Sequence, residues 1–457
     1  MMILPQWLYV LQMLPIMLSP AHVSQHNSHL NAYLWQGKRA RISLFKLMLP
    51  RRKGGLGLLS VSRFNLACQL RHIHDWFCDT KYFSLPEIEC YCFKPYHFSY
   101  LLHALHLPDL PQLSSHPLLP AMRRAWKSLC RLLKINSRVT SYLPIAGNGD
   151  FSPGLDSGPF HRWTSVGLQY ISQAIQHTGL PISFTDLTTQ FHFPAADWFA
   201  YRQLQHYLRN LTPAVLCEEN YTKLHEVLGL TAQDLIPLKI YHGLLLDCLG
   251  DIDFPTLARK WTVDLQVPIT ADMIRKGLCL GNALRLSSME WERNYKFLLR
   301  AFYPPKRAHV MGISAEHGCG KCEQPMASFG HMFWTCPLVS AFWLQLVSAV
   351  AQLWGCSWRL HPSFLITLQI RFHPPKPGCS AFIKRTILLG RKCVLLQWLS
   401  SQPPTIQQWR ALMLQQMLLE RRDIVDMSAK TGRLFRQCWY SFSLTFTPYV
   451  RRQLWDA

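Results

Sequence analysis

Four residues constrain this chain more than any others. Cys319, Cys322, His331 and Cys336 stand in the stretch HGCGKCEQPMASFGHMFWTCP as a C-x2-C-x8-H-x4-C array. Two cysteines so spaced form a tight knuckle that offers both thiolates to one ion. A histidine and a further cysteine then close a tetrahedral Cys3His shell, the geometry Zn2+ accepts in structural sites. Gly318, Gly320, Pro325 and Gly330 supply turn formers around the ligands, and His317 stands as a substitute ligand. Downstream, Phe333, Trp334, Leu338, Phe342 and Trp343 are spaced for the buried face of a helix. The competing reading makes the cysteines small buried apolar residues in a chain that has 15 of them. The eight-residue spacer, longer than that of a retroviral-type knuckle, is the feature that favours it.

Charge is the second constraint. The 457-residue chain carries a formal net charge of +22 with half of its residues apolar, so it can bury a sizeable core and calls for a polyanionic or acidic partner. Nine Lys and Arg residues fall between positions 38 and 71, and no acidic residue precedes Asp75. The middle of the chain is close to neutral, and the last stretch is basic again, with 14 basic and 4 acidic residues from position 371 onward. Two basic ends point to two separate polyanion contacts. The odd cysteine count without regular spacing fits mostly free thiols and an intracellular protein, cytoplasmic or nuclear. The first 20 residues are uncharged, yet Pro5 and Pro15 interrupt them and no basic segment precedes them. A buried helix is therefore expected rather than a signal peptide or a membrane span.

Along the chain, the first basic block comprises Lys38, Arg39, Arg41, Lys46, Arg51, Arg52 and Lys53, and runs into Lys53-Gly54-Gly55-Leu56-Gly57-Leu58. No phosphate-loop pattern is present there; the glycines read as a turn, with phosphate contact by Arg51, Arg52 and Lys53 as the sharper alternative. Helices are expected over 62–76 and over 121–139, the latter basic through Arg123, Arg124, Lys127, Arg131, Lys134 and Arg138. The Gly, Asp, Ser and Pro cluster at 147–159 reads as a junction. Trp198, Phe199, Tyr201, Leu204, Tyr207 and Leu208 read as a helical core stripe. Asp247, Asp251 and Asp253 lack the partners of a catalytic carboxylate site. Over 381–400, Ile383, Ile387, Val394 and Trp398 form an apolar seam. Lys384 with Arg391, and Arg385 with Lys392, form basic ridges beside it that suit phosphates. Thr405 caps a helix whose seam is Ile406, Trp409, Met413, Met417, Ile424 and Met427. Near the end Arg433, Arg436, Arg451 and Arg452 alternate with Phe435, Trp439 and Tyr440, a pattern suited to single strands.

Taken in order, these segments resemble the C-terminal portion of the second open reading frame protein of LINE-type (non-LTR) retrotransposons. The resemblance is carried by Leu4-Pro5, Trp7-Leu8-Tyr9 and Leu14-Pro15-Ile16, then by Tyr33-Leu34-Trp35 with Lys38-Arg39-Ala40-Arg41-Ile42. It continues through the glycine turn after Lys53 and through Phe64-Asn65-Leu66-Ala67. Glu292, Asn294-Tyr295-Lys296 and Tyr303-Pro304-Pro305 follow, ahead of the Cys/His array, and Ile387-Leu388, Lys392, Trp398, Pro404 and Trp409 close it. The departures bear on activity: no Asp-Asp pair is present to hold the catalytic Mg2+ ions of a reverse transcriptase. The endonuclease carboxylate and histidine set is missing too. The resemblance thus implies a piece without either catalytic domain, which handles RNA and DNA in target-primed reverse transcription.

The combined expectation is a mostly α protein of helical subdomains, with a small zinc-binding knuckle near its C-terminal third. Its expected segments are thumb-like helices over 1–80, a basic helical linker over 81–150, a neutral helical domain over 160–310, the knuckle over 311–345 and basic helices over 346–457. The expected metal ligands are Cys319, Cys322, His331 and Cys336, with Lys38, Arg39, Arg41, Arg51, Arg52, Lys53, Lys384, Arg385, Arg391, Lys392, Arg433 and Arg436 as nucleic-acid contacts. Expected partners are RNA or DNA and a reverse transcriptase core acting in trans, with no membrane, no small-molecule substrate and no enzymatic activity. The rival expectation is an inert retroelement-derived product; a secreted or membrane-associated protein is a more distant one.

Overall fold

Apolar residues at three- and four-residue spacing become helices almost throughout. The computed structural model describes residues 3–77, 85–134, 142–156, 158–176, 178–211, 237–283, 287–368, 376–422, 429–448, 451 and 455. Among them the chain is mostly helical, and the only strand-like pairings are two isolated bridges, Pro144 with Tyr170 and Ile175 with Pro181. Ile135 and Arg138 of the expected basic helix, Ile424 and Met427 of the seam after Thr405, and Arg452 lie outside the described residues. The chain divides into two compact units. One consists of Met1–Lys38 and Leu58–Gly250, the other of Arg39–Gly57 and Asp251–Ala457.

The first unit is organised on the helix Val61–Phe77, which packs against Ile3–Met13, Leu119–Leu133 and Pro237–Asp247. Its polar side chains explain how the apolar N-terminal run docks. The chain leaving helix Ile3–Met13 would expose unpaired carbonyls, as every helix end does. Asn65 Nδ2 donates to Ile16 O (2.7 Å), Gln69 Nε2 to Leu14 O (3.2 Å) and an Arg71 guanidinium nitrogen to Gln12 O (3.2 Å). Trp76, Trp126, Trp163, Tyr201 and Leu204 belong to the unit's large apolar core.

Two expectations are corrected here. The 147–159 stretch is not an open junction: Phe151 is buried in that core, as are Ile145 and Phe160 beside the stretch. Asn148, fully buried, donates to Pro144 O (3.0 Å) and Tyr207 Oη (3.2 Å), so its polarity serves the turn itself. The core stripe of helix Trp198–Asn210 is Ala200, Tyr201, Leu204 and Leu208, whereas Trp198 and Phe199 are 51% and 72% exposed. Both sit in the first turn; the Phe184 ring meets Trp198 at 5.0 Å between centroids and Arg202 lies 5.8 Å over the Trp198 ring, yet both side chains stay largely open to solvent.

The second unit gathers the glycine turn with the C-terminal half. Gly55 packs so closely that a Cβ would meet Leu49 O at 2.0 Å, and Gly54 adopts φ +85° against Phe254. The glycines therefore act as a tight turn, the default reading. Asp253 caps helix Phe254–Leu265, accepting from Thr256 N–H at 3.0 Å, a bond that holds its carboxyl below the usual value. Asp251 lies 3.9 Å from Lys53 Nζ and 3.7 Å from an Arg275 guanidinium nitrogen. An aromatic seam of Trp261, Phe297, Phe329, Phe333 and Trp343 runs from that helix to Pro337–Trp354, with ring centroids 4.6 to 5.8 Å apart at successive contacts. Helix Pro337–Trp354 is long and apolar enough to cross a membrane by length and composition. Its Val339, Phe342, Trp343, Leu346, Val350 and Trp354 are buried within the unit. Helix Cys379–Leu396 buries Ile383, Ile387 and Val394 as expected, and Thr405 with Gln408 forms a reciprocal capping box at the start of Ile406–Arg422.

Candidate metal centre

The knuckle is built from backbone first. Glu323 N–H donates to Cys319 O (2.8 Å) and Cys319 N–H to Gln324 O (2.9 Å), closing a loop over the two cysteines. Glu323 and Met326 take left-handed φ values of 60° and 54° to make the turns. The other two ligands depend on a wider helical turn. On an α-helix, residues five apart point about 140° away from one another. Here His331–Thr335 is a π-helical turn, with Cys336 N–H donating to His331 O (2.9 Å), which returns Cys336 to the side of His331.

The four ligand atoms lie within 4.8 Å of one another and form a group that could hold a metal ion. Cys319 Sγ is 4.0 Å from Cys336 Sγ, and Cys322 Sγ is 3.3 Å from His331 Nε2. A tetrahedral zinc site has edges of about 3.8 Å between sulfurs and about 3.5 Å from sulfur to nitrogen, given its bond lengths. The observed sulfur–sulfur pair is slightly wider than its ideal edge and the sulfur–nitrogen pair slightly closer. His317 is exposed and meets the His309 ring in a tilted contact at 5.0 Å between centroids; it is not in the cluster.

Electrostatics favour deprotonated ligands at part of the site. Burial pushes the Cys319 thiol up, but the Lys321 and Cys322 backbone N–H groups and the Cys322 and Cys336 thiols outweigh it and leave it below the ordinary value. Burial raises the Cys336 thiol to about 11. Burial, then the Lys321 charge, lowers His331, which keeps its imidazole neutral and able to ligate.

Lys321, between the knuckle cysteines, ties the site to its surroundings. Its Nζ donates to Gln397 O (2.6 Å), Ser400 O (2.9 Å) and Trp398 O (3.3 Å), the carbonyls at the end of helix Cys379–Leu396. A cation at a helix C-terminus is favoured by the backbone dipoles. Lys321→Met should lower the stability of the protein by about 1–3 kcal/mol, because it leaves these carbonyls without a donor. Its metal content should be unchanged, since the ammonium is no ligand. Urea titration with parallel metal analysis checks both, and loss of the metal would contradict this division of roles.

Gly330 has an unexpected reason. Its backbone is ordinary helix, but a Cβ there would meet Asp264 O at 2.2 Å. It is a point of close packing, not a turn.

The expected nucleic-acid contacts divide. Arg39, Arg41, Arg51 and Arg52 are exposed in the second unit, as is Lys38 in the first, while Lys53 is half-buried. Arg51 lies 5.3 Å over the Trp291 ring and Arg41 5.3 Å over that of Tyr303. Arg433 and Arg436 are exposed on helix Ala429–Ser443, and Lys384 is half-buried. The expected phosphate ridges of helix Cys379–Leu396 are corrected by its packing. Arg391 is 2% exposed and donates to Asn294 Oδ1 (2.6 Å) and Leu365 O (2.9 Å), and burial lowers its guanidinium to about 9. Lys392 pairs with Glu290 at 2.8 Å and Arg385 with Glu420 at 2.6 Å. The helix is covered on more than one face, so positions beside its apolar seam meet other helices instead of solvent. Of the residues around the site, Lys321 is signalled in the sequence by its place inside the CxxC pair.

No protein-family model matches the chain, and no curated protein matches it in sequence.

Proposed function

We propose that this is a non-catalytic nucleic-acid-binding protein of retroelement derivation, in which one structural Zn2+ fixes the Cys319–Cys322–His331–Cys336 knuckle. The observation that carries the reading is the convergence of these four side chains within 4.8 Å, in an otherwise strongly basic chain. Three thiols and one imidazole gathered within 4.8 Å suit zinc above harder cations, and four protein ligands leave no open position, the mark of a structural site. The ion would lock the loop that carries Lys321 and, through it, the end of helix Cys379–Leu396. Exposed Arg39, Arg41, Arg51, Arg52, Arg433 and Arg436 then serve as phosphate contacts.

The retroelement derivation rests on the order of the motifs from Leu4-Pro5 to Trp409. In the LINE-type family that order belongs to RNA and DNA handling in target-primed reverse transcription, beside a polymerase core. Two of those motifs meet in the second unit, where Tyr303 O accepts from Trp398 Nε1 at 2.9 Å.

Salt dependence tests the reading. Each neutralised phosphate releases condensed counterions, so a single strand held by about five phosphate contacts should show a log–log slope near −3.5. Its affinity should then fall roughly a hundredfold between 50 and 200 mM salt. Fluorescence anisotropy with labelled RNA and DNA measures the slope; a flat dependence, or no binding at low salt, would sink the proposal.

A further inference from the structure

Two guanidinium groups from distant parts of the chain meet on one ring. Arg41 lies 5.3 Å and Arg307 4.9 Å from the centroid of Tyr303, so their charges are within about 10 Å of each other. All three residues belong to the second unit, and both arginines are exposed. Among the described residues neither arginine lies within ion-pair distance of a carboxylate. Lys306 adds another exposed cation beside them. Arg300 feels the crowding: burial disfavours its charged form, Asp264 restores it, and Arg307 disfavours it again. Asp264 is taken up by Arg300, so Arg41 and Arg307 leave a positive field that an external anion would neutralise.

We propose that Arg41 and Arg307, held on Tyr303, form a clamp for the phosphodiester backbone of nucleic acid, with Lys306 as an accessory contact. This rests on the nucleic-acid-binding reading above and gives it a place. The ring is a support rather than a base-stacking platform, because guanidinium groups already occupy its surroundings. Stacking on an aromatic ring leaves the in-plane N–H edges of arginine free, and those edges match phosphate oxygens bidentately. Binding at the clamp is therefore insensitive to base sequence. Its position also depends on the knuckle. Lys306 N–H donates to Ala327 O (3.2 Å) within the Cys/His array, Ala327 N–H donates to His317 O (2.9 Å), and Trp398 fixes the Tyr303 carbonyl.

The test uses the full chain and labelled oligouridylate and mixed-sequence single strands at several salt concentrations. Arg41→Ala and Arg307→Ala should each weaken binding roughly 3- to 10-fold at 100 mM salt, and each should make the log–log slope shallower by about 0.7 for single strands. The double variant should lose roughly 10- to 100-fold, equally for both sequences, with unchanged circular dichroism and metal content. Arg131→Ala, an exposed charge in the first unit, is the comparison and should change affinity less than twofold. If the wild type binds but the double variant falls no further than Arg131→Ala, the clamp is overturned while the functional reading stands. If the wild type binds no nucleic acid, both fall. If the double variant loses affinity for polyglutamate but not for RNA or DNA, the clamp serves an acidic protein and the proposal is overturned.

Discussion

Replacing Cys336 with serine should abolish stoichiometric metal binding and cost the protein about 4 kcal/mol or more of stability, the scale expected when a structural metal is lost. Cys336 is fully buried, its Sγ faces Cys319, and its backbone closes the π-helical turn that presents His331. Serine keeps the volume but cannot supply a thiolate, and it leaves the ion with three ligands. The loop over residues 319–327 then loses the bonds that hold it, and with it the seat of Lys321 under helix Cys379–Leu396. Thermal melts with and without a zinc chelator separate this from ordinary core damage. The wild type should fall to the level of the variant when chelator is added, and the variant should not respond. A variant as stable as the metal-loaded wild type would contradict the assignment.

Glu420→Ala should be almost as damaging, at about 3–5 kcal/mol, because it strips the partner from a largely buried cation. Glu420 accepts from Arg385 Nε (2.6 Å), Gln416 Nε2 (2.9 Å) and Trp439 Nε1 (2.9 Å), joining three helices at one carboxylate. Its side chain is only 12% exposed and that of Arg385 15%. Alanine leaves three donors facing a void, and the guanidinium cannot give up its proton to escape. The double change Arg385→Met with Glu420→Leu removes the stranded charge and should recover most of the loss. Urea denaturation of the single and double variants measures both. Equal losses in the two would show that packing, not the ion pair, governs this corner.

What the sequence made legible was local. The Cys/His array could be read because its ligands are near neighbours in the chain, and the structure brings all four together. The seams of Ile383, Ile387 and Val394, and of Trp409, Met413 and Met417, could be read because helical periodicity is local too. Burial by other elements was not legible. A helical wheel puts Arg391 beside a seam, and only tertiary packing turns it toward Asn294, 97 positions earlier. The same limit explains Trp198 and Phe199: their spacing fits a core stripe, but the packing around the first turn of their helix leaves both largely exposed. At 147–159, turn-forming composition does not mark a junction, because Asn148 satisfies its polar groups inside the core. Gly330 shows the converse, a glycine required by the backbone of Asp264 and not by its own φ. The contact of Arg41 with the Tyr303 ring likewise joins positions far apart in the chain, which no local pattern announces.

The account turns on the ion in the knuckle, and metal analysis of the full-length protein with X-ray absorption at the zinc edge tests it most directly. The prediction is one zinc per chain, bound by three sulfurs at about 2.3 Å and one nitrogen at about 2.0–2.1 Å, and lost in Cys336→Ser. A folded, metal-free wild type whose stability is indifferent to zinc would contradict it, reducing Cys319, Cys322 and Cys336 to packed thiols.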